Sequence, residues 1–241
     1  VDNADQRSAE PEGSAPVPLR EPAEGTPPVI ADAAALREAG ERLAEGSGPI
    51  AVDTERASGY RYWPKAYLVQ LRREGTGTFL VDPVALNGRL EPLAAVLGAH
   101  EWVLHAASQD LPCLAEVGLR PPALFDTELA GRLAGYERVA LGTLVETLLG
   151  YQLEKGHSAA DWSRRPLPAE WLNYAALDVE LLVPLREKLE TELAASGKLE
   201  WARQEFEAAR TAEAPAPRAE PWRRTSGIHK IRTARGLAAV R

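Results

Sequence analysis

Two carboxylates one residue apart close an apolar run in the first quarter of the chain. In PIAVDTERASGYRYWP, which begins at Pro49, Ile50, Ala51 and Val52 lead straight into Asp53-Thr54-Glu55. Alternate side chains of an extended chain share a face, so Asp53 and Glu55 point the same way. Like charges so placed repel, and desolvation sharpens the repulsion. A cation, a basic side chain or water at an exposed strand end has to compensate. Two further acids belong with them. Asp110 stands on the first turn of a predicted helix after the strand WVLHA, where an acid also complements the helix dipole. Asp178 falls among leucines on one helix face, where an acid is costly unless partnered. Tyr174, four residues earlier, shares that face. Hard divalent cations take oxygen ligands, and Mg2+ is commonly held by one or two carboxylates plus substrate phosphate oxygens. Two such ions about 4 Å apart can activate water and stabilise the leaving oxygen in phosphodiester hydrolysis. That chemistry needs acids from separate segments converging on one spot.

The elements that must bring them together follow from the pattern. Asp32 N-caps a predicted helix closed by Gly46, and IAVD follows as a strand. AYLVQL (66–71) and TFLVD (78–82) are two more strands, joined by the Gly-containing turn RREGTG, so three consecutive strands form an antiparallel meander. Next come a helix near 87–97, the strand WVLHA (102–106), a helix starting at Ser108, a strand and helix in ALFDTELAGRLAG capped by Asp126, and a helix in ALGTLVETLLGY. From Pro168 one long helix runs to about Ala195, kinked at Pro184. Strands first and then alternating helix and strand make an α/β fold with a mixed sheet flanked by helices.

Composition narrows the setting. The 241 residues are 45% hydrophobic and 26% charged, with a net charge of −7, which argues against a chain that coats nucleic acid indiscriminately but leaves room for a local basic groove. The one cysteine, Cys113, excludes an intrachain disulfide and a Cys-based zinc site. No apolar run reaches the length of a membrane helix, so a cytoplasmic protein with no membrane partner is expected. The chain contains no methionine, even at position 1, and reads as trimmed or partial. Residues 1–27, rich in acid and proline, read as a disordered lead-in to a domain at 28–210. TAEAPAPRAEP (211–221) reads as a linker, and residues 222–241, with six Lys/Arg and no acid, as a separate module.

VDTE, LHAASQDL and YAALDV resemble the three exonuclease motifs of the DEDD superfamily, in its tyrosine-containing branch. YLVQL, LFDTELAGRLAGY, LVETLLGYQLEKGHSAADWSRRPL and WLNYAALDVELL are similar to bacterial ribonuclease D, in the right order over about 28–205. The resemblance implies a ribonuclease-H-like fold and a 3′→5′ exonuclease using two Mg2+ or Mn2+ ions. Its product is nucleoside 5′-monophosphate, and its partner is RNA with a free 3′ end, such as a tRNA precursor. It implies that Asp53 bridges both ions, that Glu55 and Asp178 complete the first site, that Asp110 holds the second and that Tyr174 orients the attacking water.

RNA needs contacts beyond a metal site. KGHSAADWSRRPL places Lys155, His157, Arg164 and Arg165 around Trp162, a pattern for phosphate contact and base stacking near the 3′ end, or for a loop stapled by Trp162 with solvated charges. Lys155 and the Asp161-Trp162 pair match the family pattern. His105 reads as a satisfied strand-end histidine rather than a catalyst. RYWPK (61–65) offers aromatics and base near the D-x-E, or a packing loop. The tail WRRTSGIHKIRTARGLAAVR resembles the start of the helicase-and-ribonuclease-D C-terminal (HRDC) nucleic-acid-binding domain, incomplete here. Two competing readings stand: a DNA 3′→5′ exonuclease of the same superfamily, and a catalytically silent RNA-binding protein on this fold.

Overall fold

The computed structural model describes residues 15–63, 65–154, 156–157, 159–213 and 219–240. Helix α1 (Ala33–Glu45) opens the domain, with the Asp32 carboxylate accepting from the Ala34 and Ala35 N–H groups and Gly46 closing it. Before it lie two short strands, β1 (Val17–Leu19) and β2 (Val29–Ile30). The meander follows as β3 (Ser47–Glu55), β4 (Leu68–Glu74) and β5 (Gly77–Val81), antiparallel throughout. Then come α2 (Glu91–Leu97), β6 (Glu101–Leu104), a 3-10 turn at Ala107–Gln109, α3 (Leu111–Glu116), β7 (Ala123–Asp126) and α4 (Thr127–Ala134). The main sheet has the order β2-β5-β4-β3-β6-β7. β6 and β7 run parallel to β3 and β2 runs parallel to β5, so the sheet is mixed as expected.

β3 lies between an antiparallel and a parallel neighbour. Ile50, Ala51 and Val52 are fully buried in it, which explains the continuous apolar run. The rest of the chain supplies α5 (Leu141–Leu149), β8 (Tyr151–Leu153), α6 (Ala169–Glu180), α7 (Leu182–Ala195) and α8 (Leu199–Thr211). α6 packs on β3, β4 and β5, and α7 on β3 and β6.

Three expectations change. The single helix through 168–195 is two helices. Pro184 has no N–H and its ring clashes with the carbonyl four residues back, so helix α6 ends at Glu180 and α7 restarts at Leu182. The helix expected from Ser108 starts as a 3-10 turn and becomes α3 only at Leu111. The disordered lead-in through residue 27 does not hold for residues 15–27. β1 pairs in parallel with β8, the Asn173 side chain donates to the Arg20 carbonyl (2.7 Å), and the Ala23 N–H donates to Glu180 (3.3 Å). Residues 1–14 lie outside the described residues, as do residues 214–218 of the linker. Beyond it, residues 221–240 form 3-10 turns at Pro221–Arg224 and Ile228–Lys230 and a short helix, α9 (Ala234–Val240). No described helix is long and apolar enough to cross a membrane.

Candidate active site

The C-terminal end of β3 presents Asp53 and Glu55 on the face covered by α6, opposite Gln70 and Leu68 of β4 in register. α6 brings Tyr174 and Asp178 to the same place, one helical turn apart. Carboxylate oxygens of Asp53, Glu55 and Asp178 all lie within 4.8 Å of one another. The expectation that acids from separate segments converge therefore holds for three of the four. Asp110 is buried beside them but outside that group. It accepts from the Thr54 hydroxyl at 2.6 Å and lies 3.7 Å from Arg56 Nε. Arg56 is itself anchored on the Gln109 carbonyl and side chain, both at 2.9 Å. The Asp110 carboxylate does not cap its own helix.

Asp126 aims this corner. It caps α4 through the Glu128 and Leu129 N–H groups, as its sequence position foretold. The same carboxylate also accepts from Ala106 and Ala107 at 3.1 and 2.8 Å. Ala106 has a φ of +58°, a conformation a side chain resists, and those bonds hold it there. The turn that delivers Asp110 is thus fixed by a residue that sequence patterning marks only as a cap. Nothing local in the sequence signals that Thr54 and Arg56 contact residue 110.

The electrostatics call for a cation. Burial raises the Asp53 carboxyl well above its usual range, and Asp110 and Asp178 raise it further. Glu55 is raised by burial and then by Asp53, and its Oε1 is buried without a protein partner. Burial pushes Asp178 up to about 7 and Asp110 up to about 6. Burial and Asp178 hold the Tyr174 hydroxyl protonated, and it hydrogen-bonds the Asp178 carboxylate. An all-oxygen donor set with an unpartnered buried carboxylate atom fits a hard divalent cation.

A pH dependence follows. Unfolding returns these acids to about 4, so between about pH 4 and 7 the metal-free folded state holds protons that the unfolded state has shed. Their contribution to stability is complete below the unfolded pKa and is lost as pH rises through the folded values. The metal-free protein should lose melting temperature between pH 5 and pH 8, and Asp178→Asn should reduce that loss. Mg2+ or Mn2+ at pH 8 should restore stability by binding the folded state. A fall that Asp178→Asn leaves unchanged would remove this acid from the account.

The acids open on a cleft of about 980 Å3 shared with Arg138, Thr143 and Glu146, within the size range of a small-ligand site. Arg138 is exposed and forms no ion pair among the described residues. His105 lines the cleft too. The Thr127 hydroxyl donates to the Leu104 carbonyl, so the His105 Nδ1–H donates to Thr127 (2.9 Å), and burial lowers the imidazole to about 4. It is satisfied and neutral, as its strand-end position suggested.

The loop before α6 takes the stapled form and not the stacking one. Trp162 is 0% exposed, packed with Leu68, Leu80, Ala175 and Ala176, and its Nε1 donates to the His157 carbonyl. It cannot stack on a base; it staples the loop. Arg165 is structural as well, bidentate on Asp82 (2.6 and 2.8 Å). His157 packs its ring against Tyr174 at 5.8 Å and against Trp171 at 6.0 Å. Arg164 is exposed, and Lys155 lies outside the described residues. Gln70 is fully buried opposite Asp53, with neither amide atom hydrogen-bonded among the described residues.

Residues 27–194 match a family model described as 3′-5′ exonuclease. The chain is 38% identical over 185 residues to Ribonuclease D of Sphingobium indicum, covering 75% of this chain and 47% of that protein. A crystal structure of a protein from Bifidobacterium adolescentis superposes with a TM-score of 0.81 at 45% identity, over 89% of this chain and 53% of that one. Escherichia coli RNase D, described as an exoribonuclease involved in structured RNA processing, superposes with a TM-score of 0.69 at 32% identity, over 86% and 56% of the two chains. The chain spans about half the length of these relatives.

Proposed function

The chain belongs to the 3′–5′ exonuclease family, and from that premise we propose that it is a divalent-metal-dependent exoribonuclease that releases nucleoside 5′-monophosphates from RNA 3′ ends. The observation that carries the reading is the convergence of Asp53, Glu55 and Asp178 oxygens within 4.8 Å on the wall of an open cleft, beside a protonated tyrosine. Asp53, Glu55 and Asp178 would hold a first ion and Asp110, with Asp53, a second, Mg2+ or Mn2+. Bound there, such ions supply charge for activating water and for stabilising the leaving oxygen. The protein's own groups do the rest. Water adds to the terminal phosphorus, the bond from phosphorus to the 3′ oxygen breaks, and the shortened RNA keeps a 3′ hydroxyl. The Tyr174 hydroxyl, fixed by Asp178, orients that water. Arg138, on the same cleft, is placed to meet phosphate oxygens.

RNA precursors with structured 3′ ends, tRNA among them, are the proposed substrates, supported by the Ribonuclease D relatives. The buried, unpaired Cys113 accords with a reducing cytoplasmic setting. Matched RNA and DNA oligomers digested in parallel test the reading. The expected result is faster release from RNA, because only RNA offers a 2′ hydroxyl to the site. Equal or faster release from DNA would replace the proposal with a DNA exonuclease. RNA binding without release in Mg2+ or Mn2+ would replace it with a silent binding protein.

A further inference from the structure

Residues 58–63 follow β3 just beyond the site acids, and Ser58 and Gly59 among them line the cleft. Past them, Tyr60, Tyr62 and Trp63 are 53, 43 and 52% exposed. The fold can bury such rings, as Trp102 and Trp162 are fully buried. Tyr60 and Trp63, about half exposed and close in sequence to residues that line a polar cleft, mark an interaction site. Arg61 and Lys65, both exposed, interleave with them. A loop that merely packed against the domain would not present its rings this way.

The basic C-terminal segment meets the same loop. The Tyr62 and Thr225 hydroxyls lie 3.1 Å apart. In the segment that carries Thr225, Arg224, His229, Lys230, Arg232 and Arg235 are exposed, and Arg223 pairs with Glu220. In a chain of net charge −7, residues 222–241 carry no acid at all. Aromatic rings and basic side chains thus meet at a loop whose first residues, Ser58 and Gly59, line the acid-lined cleft.

We propose that loop residues 58–63 and segment 222–235 form one surface that takes the single-stranded stretch of RNA 5′ to the nucleotide in the cleft. Tyr60 and Trp63 stack on bases, and the basic side chains follow the phosphates. The inference rests on the exoribonuclease reading and adds to it a preference for unpaired RNA. Unpaired bases offer their faces whatever the sequence, whereas paired bases hide them in the duplex. A structured RNA is therefore gripped by its 3′ overhang.

Fluorescence anisotropy in EDTA, with end-labelled oligoadenylates of two to twelve nucleotides, reads binding without hydrolysis. Affinity for the full chain should rise with length and fall with salt. Tyr60→Ala combined with Trp63→Ala should flatten that rise, weakening the twelve-mer by about 10²-fold, roughly tenfold for each lost stack. Trp63→Phe, which keeps a ring, should retain most of the affinity. Arg224→Ala with Lys230→Ala should lower the slope of log affinity against log salt by roughly 1.4, at about 0.7 for each single-strand phosphate contact. A double aromatic variant with native circular dichroism and unchanged twelve-mer affinity overturns the proposal. So does equal affinity for two and twelve nucleotides, or for a blunt duplex. Length-dependent binding by a protein that releases no nucleotide in Mg2+ or Mn2+ upholds the surface and overturns the exoribonuclease reading instead.

Discussion

Asp53→Ala should lower nucleotide release by at least about 10³-fold, the scale on which removing one group that stabilises developing charge acts, while RNA affinity in EDTA changes little. Asp53 sits where three carboxylates converge, and its charge is opposed by burial, Asp110 and Asp178. Deleting it breaks the donor set and also relieves that repulsion. The variant should therefore fold and, without metal, melt at or above the wild-type temperature at pH 8. Activity and stability thus move in opposite directions, which a residue required for packing could not produce. Near wild-type release would sink the assignment of Asp53 as a ligand. A strong loss of metal-free stability would make it structural instead.

Tyr174→Phe should lower the rate by about 10²-fold, the order of the penalty for misplacing a reacting group, with little change in substrate affinity. The ring is held by packing, not by its hydroxyl. It sits with Trp162, Trp171 and Leu172 in a small apolar cluster, and His157 meets it edge-on. The hydroxyl hydrogen-bonds to Asp178, and both residues line the cleft. Phenylalanine keeps the packing and removes the donor, so kcat should fall while KM holds. Burial and the nearby carboxylates keep the phenol protonated, so it acts as a hydrogen-bond donor and the wild-type rate should show no alkaline limb from its ionisation. An unchanged rate in the variant would reduce Tyr174 to a core aromatic.

Much of the site was legible because its signals are local. Asp53 and Glu55 share a face by the period of a strand, and Tyr174 and Asp178 by that of a helix. Asp32 and Asp126 announced helix starts, and the Gly-containing turn announced the meander. What escaped is non-local or depends on direction. Whether a loop tryptophan turns in or out is decided by what it meets, and Trp162 meets Leu68 and Leu80 from strands far off in sequence. β1 and β2, three and two residues long, carry too little pattern to be read as strands, and their partners lie far along the chain. Helix α8 follows the Gly197 break, and Ala202 and Phe206, which bury one face at four-residue spacing, are too sparse a pattern to announce it. The Thr54–Asp110 bond joins residues 56 positions apart, and only the assembled sheet brings them together.

The measurement that bears most directly on the account is the digestion of 5′-labelled single-stranded RNA in EDTA and after addition of Mg2+ or Mn2+. The account predicts no reaction in EDTA. With metal it predicts a ladder descending one nucleotide at a time from the 3′ end, nucleoside 5′-monophosphate as the released product, and no cutting of circular RNA. Release in EDTA, internal cleavage, or products bearing a 3′-phosphate would contradict it.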